Sequence, residues 1–354
     1  MTTLPPPDHA APDLDLAAEF PGAAGYLNTS SLGLPPTAAV RALHQAVDDW
    51  AAGRAAPADY DQAVARSRAA FARLTGVPVE WVATAGQVSS LVALVAAGLP
   101  AGAEVLSYQG EFTSVIFPFL ARPDLSVRLV QLADLVGAID RNTALVAVST
   151  VQSSDGQLAD LAAITAAARA HGAKLLVDGT QSVGWLPSDA STIDYHVVGA
   201  YKWLLSPRGT AFLSVRPEHW DTLPALHANW YAGQDPWQSI YGGPLRLARD
   251  ARRFDLSPAW LPWVGTTKAL GLLERLGVKR IQRHDVALAD AVRDRLGLPP
   301  SGSAVVSLSL SDGAGARLEQ AGIRYAVRDN RARFSFHLYN TARDVDLLTQ
   351  AVRG

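Results

Sequence analysis

Leu175-Leu176-Val177-Asp178-Gly179-Thr180-Gln181-Ser182-Val183-Gly184 and Val198-Gly199-Ala200-Tyr201-Lys202-Trp203-Leu204-Leu205 are the two segments on which the reading of this chain turns. Each starts as a short apolar run, of the kind a parallel sheet buries on both faces, and ends in polar groups. An open α/β sheet gathers ligands at the carboxyl ends of its strands, so Asp178 and Lys202 are expected to meet in one crevice. An arbitrary Asp and Lys at this distance would be a surface ion pair of little value. The flanking sequence argues for more.

Outward from these segments the alternation of helical stretches and apolar runs extends from about Thr37 to Val215. It predicts strands at Glu104 to Ser107, Ala144 to Ser149, Lys174 to Asp178, Tyr195 to Val198 and Thr210 to Val215. The clearest helix is Leu161 to His171, entered through Asp160 as a cap and left through Gly172. A Trp- and Gly-rich connection, Trp220 to Trp263, precedes helical segments at about Thr266 to Leu276 and Arg280 to Leu296. Strands are expected at Ala304 to Leu310, Ile323 to Val327 and Ala332 to Leu338, then a helix signalled by Thr341 and Asp344. The fold class is therefore α/β, a mostly parallel sheet sandwiched by helices with a smaller C-terminal α+β domain. The expected division is a loose leader at 1–16, a large domain at 17–265 that includes the N-terminal segment, and a small domain at 266–354.

Composition narrows the function. Of 354 residues 49% are hydrophobic, and 31 basic against 33 acidic residues leave a formal charge of -2 without a block of either sign. Neither nucleic acid nor an anionic membrane surface is an expected partner. The N-terminus lacks a signal peptide's basic start and apolar stretch, no apolar run is long enough for a membrane helix, and a cytoplasmic location is the default. The scattered histidines suggest no metal site, and the Gly-rich nucleotide loops and H-E-x-x-H are missing. There is no cysteine, hence no disulfide and no thiol nucleophile.

A carboxylate and an amine at adjacent strand ends suit pyridoxal 5'-phosphate. The amine forms an imine with the cofactor aldehyde, and the carboxylate keeps the pyridine nitrogen protonated so that the ring accepts electrons. On this reading Lys202 holds the cofactor and Asp178 faces its nitrogen. Gln181, from the same turn, is placed to hydrogen-bond the ring hydroxyl.

These segments resemble the class V aminotransferase family of fold type I enzymes, in which a D-[GA]-x-Q turn is followed by the cofactor lysine. The Tyr201-Lys202-Trp203-Leu204-Leu205 and Pro207-Arg208-Gly209-Thr210 runs look like its kynureninase and isopenicillin N epimerase side. The resemblance extends from Tyr26-Leu27-Asn28-Thr29-Ser30-Ser31-Leu32-Gly33 to Arg333-Phe334-Ser335-Phe336-His337-Leu338-Tyr339-Asn340-Thr341. It implies phosphate binding by the backbone of Gly86, Gln87 and Val88 at a helix start, although many relatives carry Thr at Val88. Tyr201, where many relatives have His, would give its hydroxyl to the phosphate. Phe112, also His in many relatives, would stack on the ring without passing protons. Ser153 is the choice among Gln152, Ser153 and Ser154 for a group facing the cofactor.

For the substrate the resemblance implies Asn28, Ser31 and, for its carboxylate, Arg333 rather than Arg328 or Arg331. A surface arginine paired with Asp329 is the plainer alternative for Arg333. His337 is expected in a satisfied structural role. Arg253 to Ser257, with Trp230, Trp260 and Thr266, would reach the neighbouring active site of a homodimer. The implied activity is conversion of a small amino acid through an external aldimine with Lys202 as the base at Cα: transamination or lyase chemistry first, epimerisation next. Lacking a persulfide cysteine, the chain is not expected to be a cysteine desulfurase. A non-catalytic protein that binds the same cofactor, or one of this fold with another cofactor, is the rival reading.

Overall fold

Side chains alternate along a strand, so a strand apolar at every position must be covered on both sides. Along β4 (Thr143–Ser149), Leu145 and Ala147 enter one core while Val146 and Val148 enter another. The same split divides Leu176 from Leu175 and Val177 in β5 (Lys174–Asp178), and Val197 from Val198 in β6 (Tyr195–Gly199). The computed structural model describes residues 15–354. Its main sheet has seven strands, completed by β1 (Val82–Ala85), β2 (Glu104–Tyr108), β3 (Ser126–Val130) and β7 (Ala211–Val215). Their order is β1-β7-β6-β5-β4-β2-β3, and β7 alone runs against both its neighbours.

Helices Val88–Ala97 and Thr113–Leu120 supply Leu91, Val95 and Phe119 to one core. Helices Pro57–Thr75, Leu161–His171 and Trp260–Leu276 supply Phe71, Ile164 and Trp263 to the other. Phe71 stacks on Phe212 with ring centroids 4.3 Å apart. Helix Leu161–His171 starts where the Asp160 carboxylate accepts the Ala163 N–H at 3.0 Å and stops at Gly172, whose φ of 74° suits glycine.

Strands β8 (Val305–Leu308), β9 (Ala326–Arg328) and β10 (Arg331–Ser335) form a second, antiparallel sheet in the order β8-β10-β9. Asp329 and Asn330 turn the β9–β10 hairpin with both φ values positive, at 47° and 60°. Phe334 and Val306 bury one face of this sheet against helices Val278–Arg295 and Ala342–Arg353, through Leu288, Val292 and Leu348. No described helix is long and apolar enough to cross a membrane.

The expected organisation needs three corrections. Residues 1–14 of the leader lie outside the described residues, but Asp15 caps a short helix, Leu16–Glu19, so its last two residues are ordered chain. The boundary between 265 and 266 cuts helix Trp260–Leu276, where Gly265 and Thr266 are both buried. The N-terminal segment belongs with the small sheet: Leu27 N–H donates to Arg324 O at 2.8 Å, Ser335 N–H donates to Leu27 O at 2.9 Å, and Leu27 lies in the small core.

Candidate active site

Register brings the chemistry together. Ser149 ends β4 directly beside Asp178, which ends β5, and β6 ends at Gly199, just before Tyr201 and Lys202. A cavity of about 220 Å³ opens above these strand ends. Among the expected cofactor residues, Gly86, Gln87, Val88, Phe112, Ser153, Asp178, Gln181, Tyr201 and Lys202 all line it. The Lys202 ammonium nitrogen lies 5.1 Å from the centre of the Phe112 ring. Phe112 is 39% exposed, a cavity wall and not core.

Asp178 and Lys202 are buried, with 4% and 5% exposure. Burial pushes the Asp178 carboxyl up to about 6; N–H donation from Thr180, at 2.7 Å, opposes this, and the nearby charge of Glu111 adds to it. Burial likewise pulls Lys202 down to about 8, helped by Arg333, Arg328 and Arg208 and opposed by Asp178. Among the described residues Lys202 has no hydrogen-bonded or ion-paired partner. It is also the one lysine of four at the cavity, since Lys174 begins β5 and Lys268 and Lys279 are exposed on helices.

Gln181 is locked in place. Its amide donates to Ser30 O and Ser153 Oγ, both at 3.0 Å, and accepts the Trp203 indole N–H at 2.8 Å. Asn28, Ser31 and Arg333 do not line the cavity; Ser31 and Arg333 sit behind Ser153. The Arg333 guanidinium, 1% exposed, donates to the Ser153 carbonyl, to Ser153 Oγ at 3.3 Å and to Ser31 Oγ at 2.8 Å. No carboxylate pairs with it among the described residues, and burial pulls it down to about 10, with Arg328 adding to the effect. Asp329, the partner considered for it, is spent in the hairpin turn. The strand expected at Ala332 to Leu338 is found as β10 from Arg331 to Ser335, with Arg333 at its middle. Asn28 Oδ1 is buried without a partner.

Sequence reasoning missed Glu111, Ser89 and Arg208. The buried Glu111 carboxylate accepts the Phe112 and Ser149 N–H groups at 2.8 Å, the Ser149 hydroxyl and the Gln152 amide, so it fixes Phe112 over the cavity. Gln152 is thereby used, and Ser154 faces a neighbouring cleft, which leaves Ser153 on the cavity. Arg208 lies 5.2 Å over the Tyr201 ring at the end where helix Val88–Ala97 begins. Val88 also packs in the core and brings no hydroxyl to this end.

The reach toward a neighbouring subunit is corrected for three residues. Phe254 and Asp255 are buried, and Asp255 takes the Arg68 guanidinium at 2.6 Å and the Thr84 N–H at 2.7 Å. Thr266 is fully buried against Thr210 and Pro262 O. His337 is fully buried too: Nδ1 lies 2.9 Å from Asp285 Oδ2, and Nε2 donates to the Trp203 carbonyl at 3.1 Å.

The loop that carries Lys202 is wedged from the N-terminal side as well. Gly33 N–H donates to Tyr201 O at 2.9 Å, and a Cβ on Gly33 would overlap the Lys202 carbonyl oxygen. Gly33→Ala is therefore expected to displace the lysine and lower turnover roughly 10²-fold, as an ångström of misplacement does. Steady-state kinetics beside a melting curve checks this. Parental turnover would mean that the loop has room to spare.

The family profile described as aminotransferase class-V matches residues 55–307, and the chain belongs to this family. It is 30% identical over 303 residues to the uncharacterized aminotransferase YcbU of Bacillus subtilis, covering 79% of this chain and 80% of that one. It is 28% identical over 337 residues to isopenicillin N epimerase of Streptomyces clavuligerus, covering 81% and 83%. Among solved structures, the cysteine desulfurase of Thermococcus onnurineus superposes with a TM-score of 0.84 at 20% identity, over 98% of this chain and 99% of that one.

One expectation is overturned by these relatives. Cysteine desulfurases are among them, including that of Klebsiella pneumoniae at 28% identity over 264 residues, which covers 63% of this chain and 61% of that one. The missing cysteine takes one sulfur carrier from the chain, but it does not separate the chain from desulfurases, because C–S cleavage happens on the substrate. A cystine C-S lyase of the same fold, with a TM-score of 0.83 at 22% identity over 94% of this chain and 98% of that one, is solved with its reaction product cysteine persulfide.

The cofactor of the family is pyridoxal 5'-phosphate, and the residues present fit it. A buried carboxylate without a cation bonded to it, a free amine, a ring-sized aromatic wall and an arginine beside a helix N-terminus surround one cavity.

Proposed function

We propose that this chain is a pyridoxal-phosphate enzyme that deprotonates Cα of a small amino acid, with transamination or lyase chemistry following. The observation that carries this reading is the buried Asp178 and Lys202 at neighbouring strand ends under Phe112. When bound, the cofactor takes up the electrons released at Cα. Asp178 would hold the ring nitrogen protonated, and Gln181 and Ser153 would flank the ring hydroxyl. Tyr201, Arg208 and the N–H groups at the start of helix Val88–Ala97 would hold the phosphate.

Lys202, depressed toward neutrality, would move the Cα proton. No histidine or cysteine lines the cavity among the described residues, and the Phe112 wall, its ring centre 5.1 Å from the Lys202 amine, carries no proton donor. One base working on one face suits transamination, where the proton taken from Cα is delivered to another carbon on that face, and elimination, where it goes to the leaving group. Epimerisation, the second reading, is favoured by the likeness to isopenicillin N epimerase, and it needs a donor on the other face. Incubation with a panel of amino acids, following keto acid, pyruvate, ammonia and enantiomer composition, tests all of these. Unchanged substrates across the panel would refute the reading.

Arg333, held just behind the cavity wall by Ser153 and Ser31, would exchange these bonds for the substrate carboxylate, which its two parallel N–H groups fit, and Ser31 and Asn28 would be further substrate contacts. Arg333→Lys keeps the charge and loses the fork, and it should raise KM roughly 10- to 100-fold with an unchanged cofactor spectrum. A parental KM would place the carboxylate elsewhere. A homodimer is proposed as well. Exposed Trp237, Ile240, Tyr241 and Leu245 in one stretch offer the apolar surface for it, and sedimentation would detect it.

A further inference from the structure

A second cleft, of about 620 Å³, adjoins the site across the Ser153-Ser154 step. Tyr108, Asp155 and Arg293 line it together with Arg328, Asp329 and Arg331 of the small sheet. Strand register makes its outer wall unusual. Arg331 stands directly across from Arg328, and Arg333 follows two residues on along the same face of β10. Like charges directly opposite in a sheet repel.

Several arginines elsewhere in the chain take acids: Arg68 with Asp255, Arg73 with Glu274, Arg122 with Asp124, Arg128 with Glu104. Those around the cleft do not. Among the described residues Arg293, Arg328, Arg331 and Arg333 have no ion pair. Arg331 is steadied only by Ser307 Oγ and Ser309 Oγ, both at 3.0 Å, and by Ser307 O at 2.8 Å. Arg293 keeps Nε buried and unbonded. Two acids share the cleft, Asp155, which accepts the Gln157 N–H, and Asp329 in the turn, but neither forms an ion pair with these arginines among the described residues, and three arginines line the cleft against two acids. Arg328 is close enough to Lys202 and Arg333 to disfavour their charged forms, so the cationic face reaches from the cleft mouth to the active site.

We infer that this cleft receives a second carboxylate of the substrate, and that the enzyme's substrates are α-amino acids whose side chain ends in a carboxylate. The inference rests on the reading of Arg333 as the α-carboxylate site. Two residues along a strand span roughly 6.5 Å, so Arg333 and the Arg328–Arg331 pair hold two anions at the ends of one extended aliphatic chain. Each guanidinium forks onto a carboxylate, and the bound charge relieves the repulsion across β9 and β10.

The test is calorimetric titration of the holoprotein with adipate and with hexanoate, chains of equal length with two carboxylates or one. Neither carries an amine, so binding is read without turnover. Adipate should bind at least about tenfold more tightly, which is the loss of one strong contact. The Arg328→Gln, Arg331→Gln double variant, altered only at exposed positions, should bring adipate down to hexanoate and leave hexanoate unchanged. Equal binding of the two acids by the parent, no binding of adipate at millimolar concentration, or a preference that survives in the double variant would overturn the inference. Borohydride reduction and peptide mapping of the same preparation separate the failures. Cofactor fixed to Lys202 with no adipate preference sinks only the cleft, whereas cofactor absent from Lys202 sinks the enzyme reading.

Discussion

Lys202→Ala is expected to abolish covalent retention of the cofactor and to lower turnover by roughly 10²–10⁴-fold or more, the contribution of a positioned proton-transfer group with the loss of its nucleophile added. The chain has only three other lysines, and none of them lines the cavity. No other lysine amine is within reach among the described residues. After borohydride treatment the variant should carry no cofactor mass, whereas the parent should carry it on the peptide that contains Lys202. Methylamine should restore part of the turnover, because a small amine fits where the side chain was removed; a merely structural lysine would not respond to it. Cofactor still fixed to the variant would show that the attachment lies elsewhere.

Asp178→Asn is expected to move stability and activity in opposite directions. Removing the opposed carboxylate lowers the ring-nitrogen pKa by roughly 1–3 units, and turnover should fall by about as many decades. Without cofactor the same change should stabilise the fold. Burial holds the carboxyl at about 6 in the folded chain, against about 4 when unfolded. The unfolded chain therefore releases this proton first, and stability drops as pH rises through that window. Below about pH 4 the parent and the Asp178→Asn variant should melt together. Above about pH 6 the cofactor-free variant should melt a few degrees higher. Added cofactor should raise the parent's melting temperature more than the variant's, because the pyridinium supplies the cation that Asp178 lacks. A variant that loses stability at about pH 8 would contradict this account.

The parts of the fold legible in the sequence are those buried twice. Lys174–Asp178 and Tyr195–Gly199 are continuous apolar runs because helices cover both of their faces. Val82–Ala85 escaped notice because it is short and built largely from alanine and threonine. Ser126–Val130 is an edge strand, half exposed, with Arg128 turned toward Glu104 at 2.8 Å, so no apolar run marks it. At the site, Asp178 and Lys202 could be read because strand ends point at ligands. Glu111 and Arg208 could not, since each sits in a loop where a solvated charge looks the same. The Arg328–Arg331 pairing was hidden by the Asp329-Asn330 turn, whose left-handed pair is announced by no glycine.

The contact between His337 and the Trp203 carbonyl bears on the order in which the protein is made. His337 is translated after the last strand of the main sheet, Ala211–Val215, and with Asp285 it braces the Trp203 carbonyl next to Lys202. A nascent chain that has already paired all seven strands of the main sheet holds its lysine loop through Gly33 and Gln181 but lacks the His337 brace. Competence to seat the cofactor thus waits for the His337 segment, and a chain stopped between the two sheets would keep the main sheet without the set lysine.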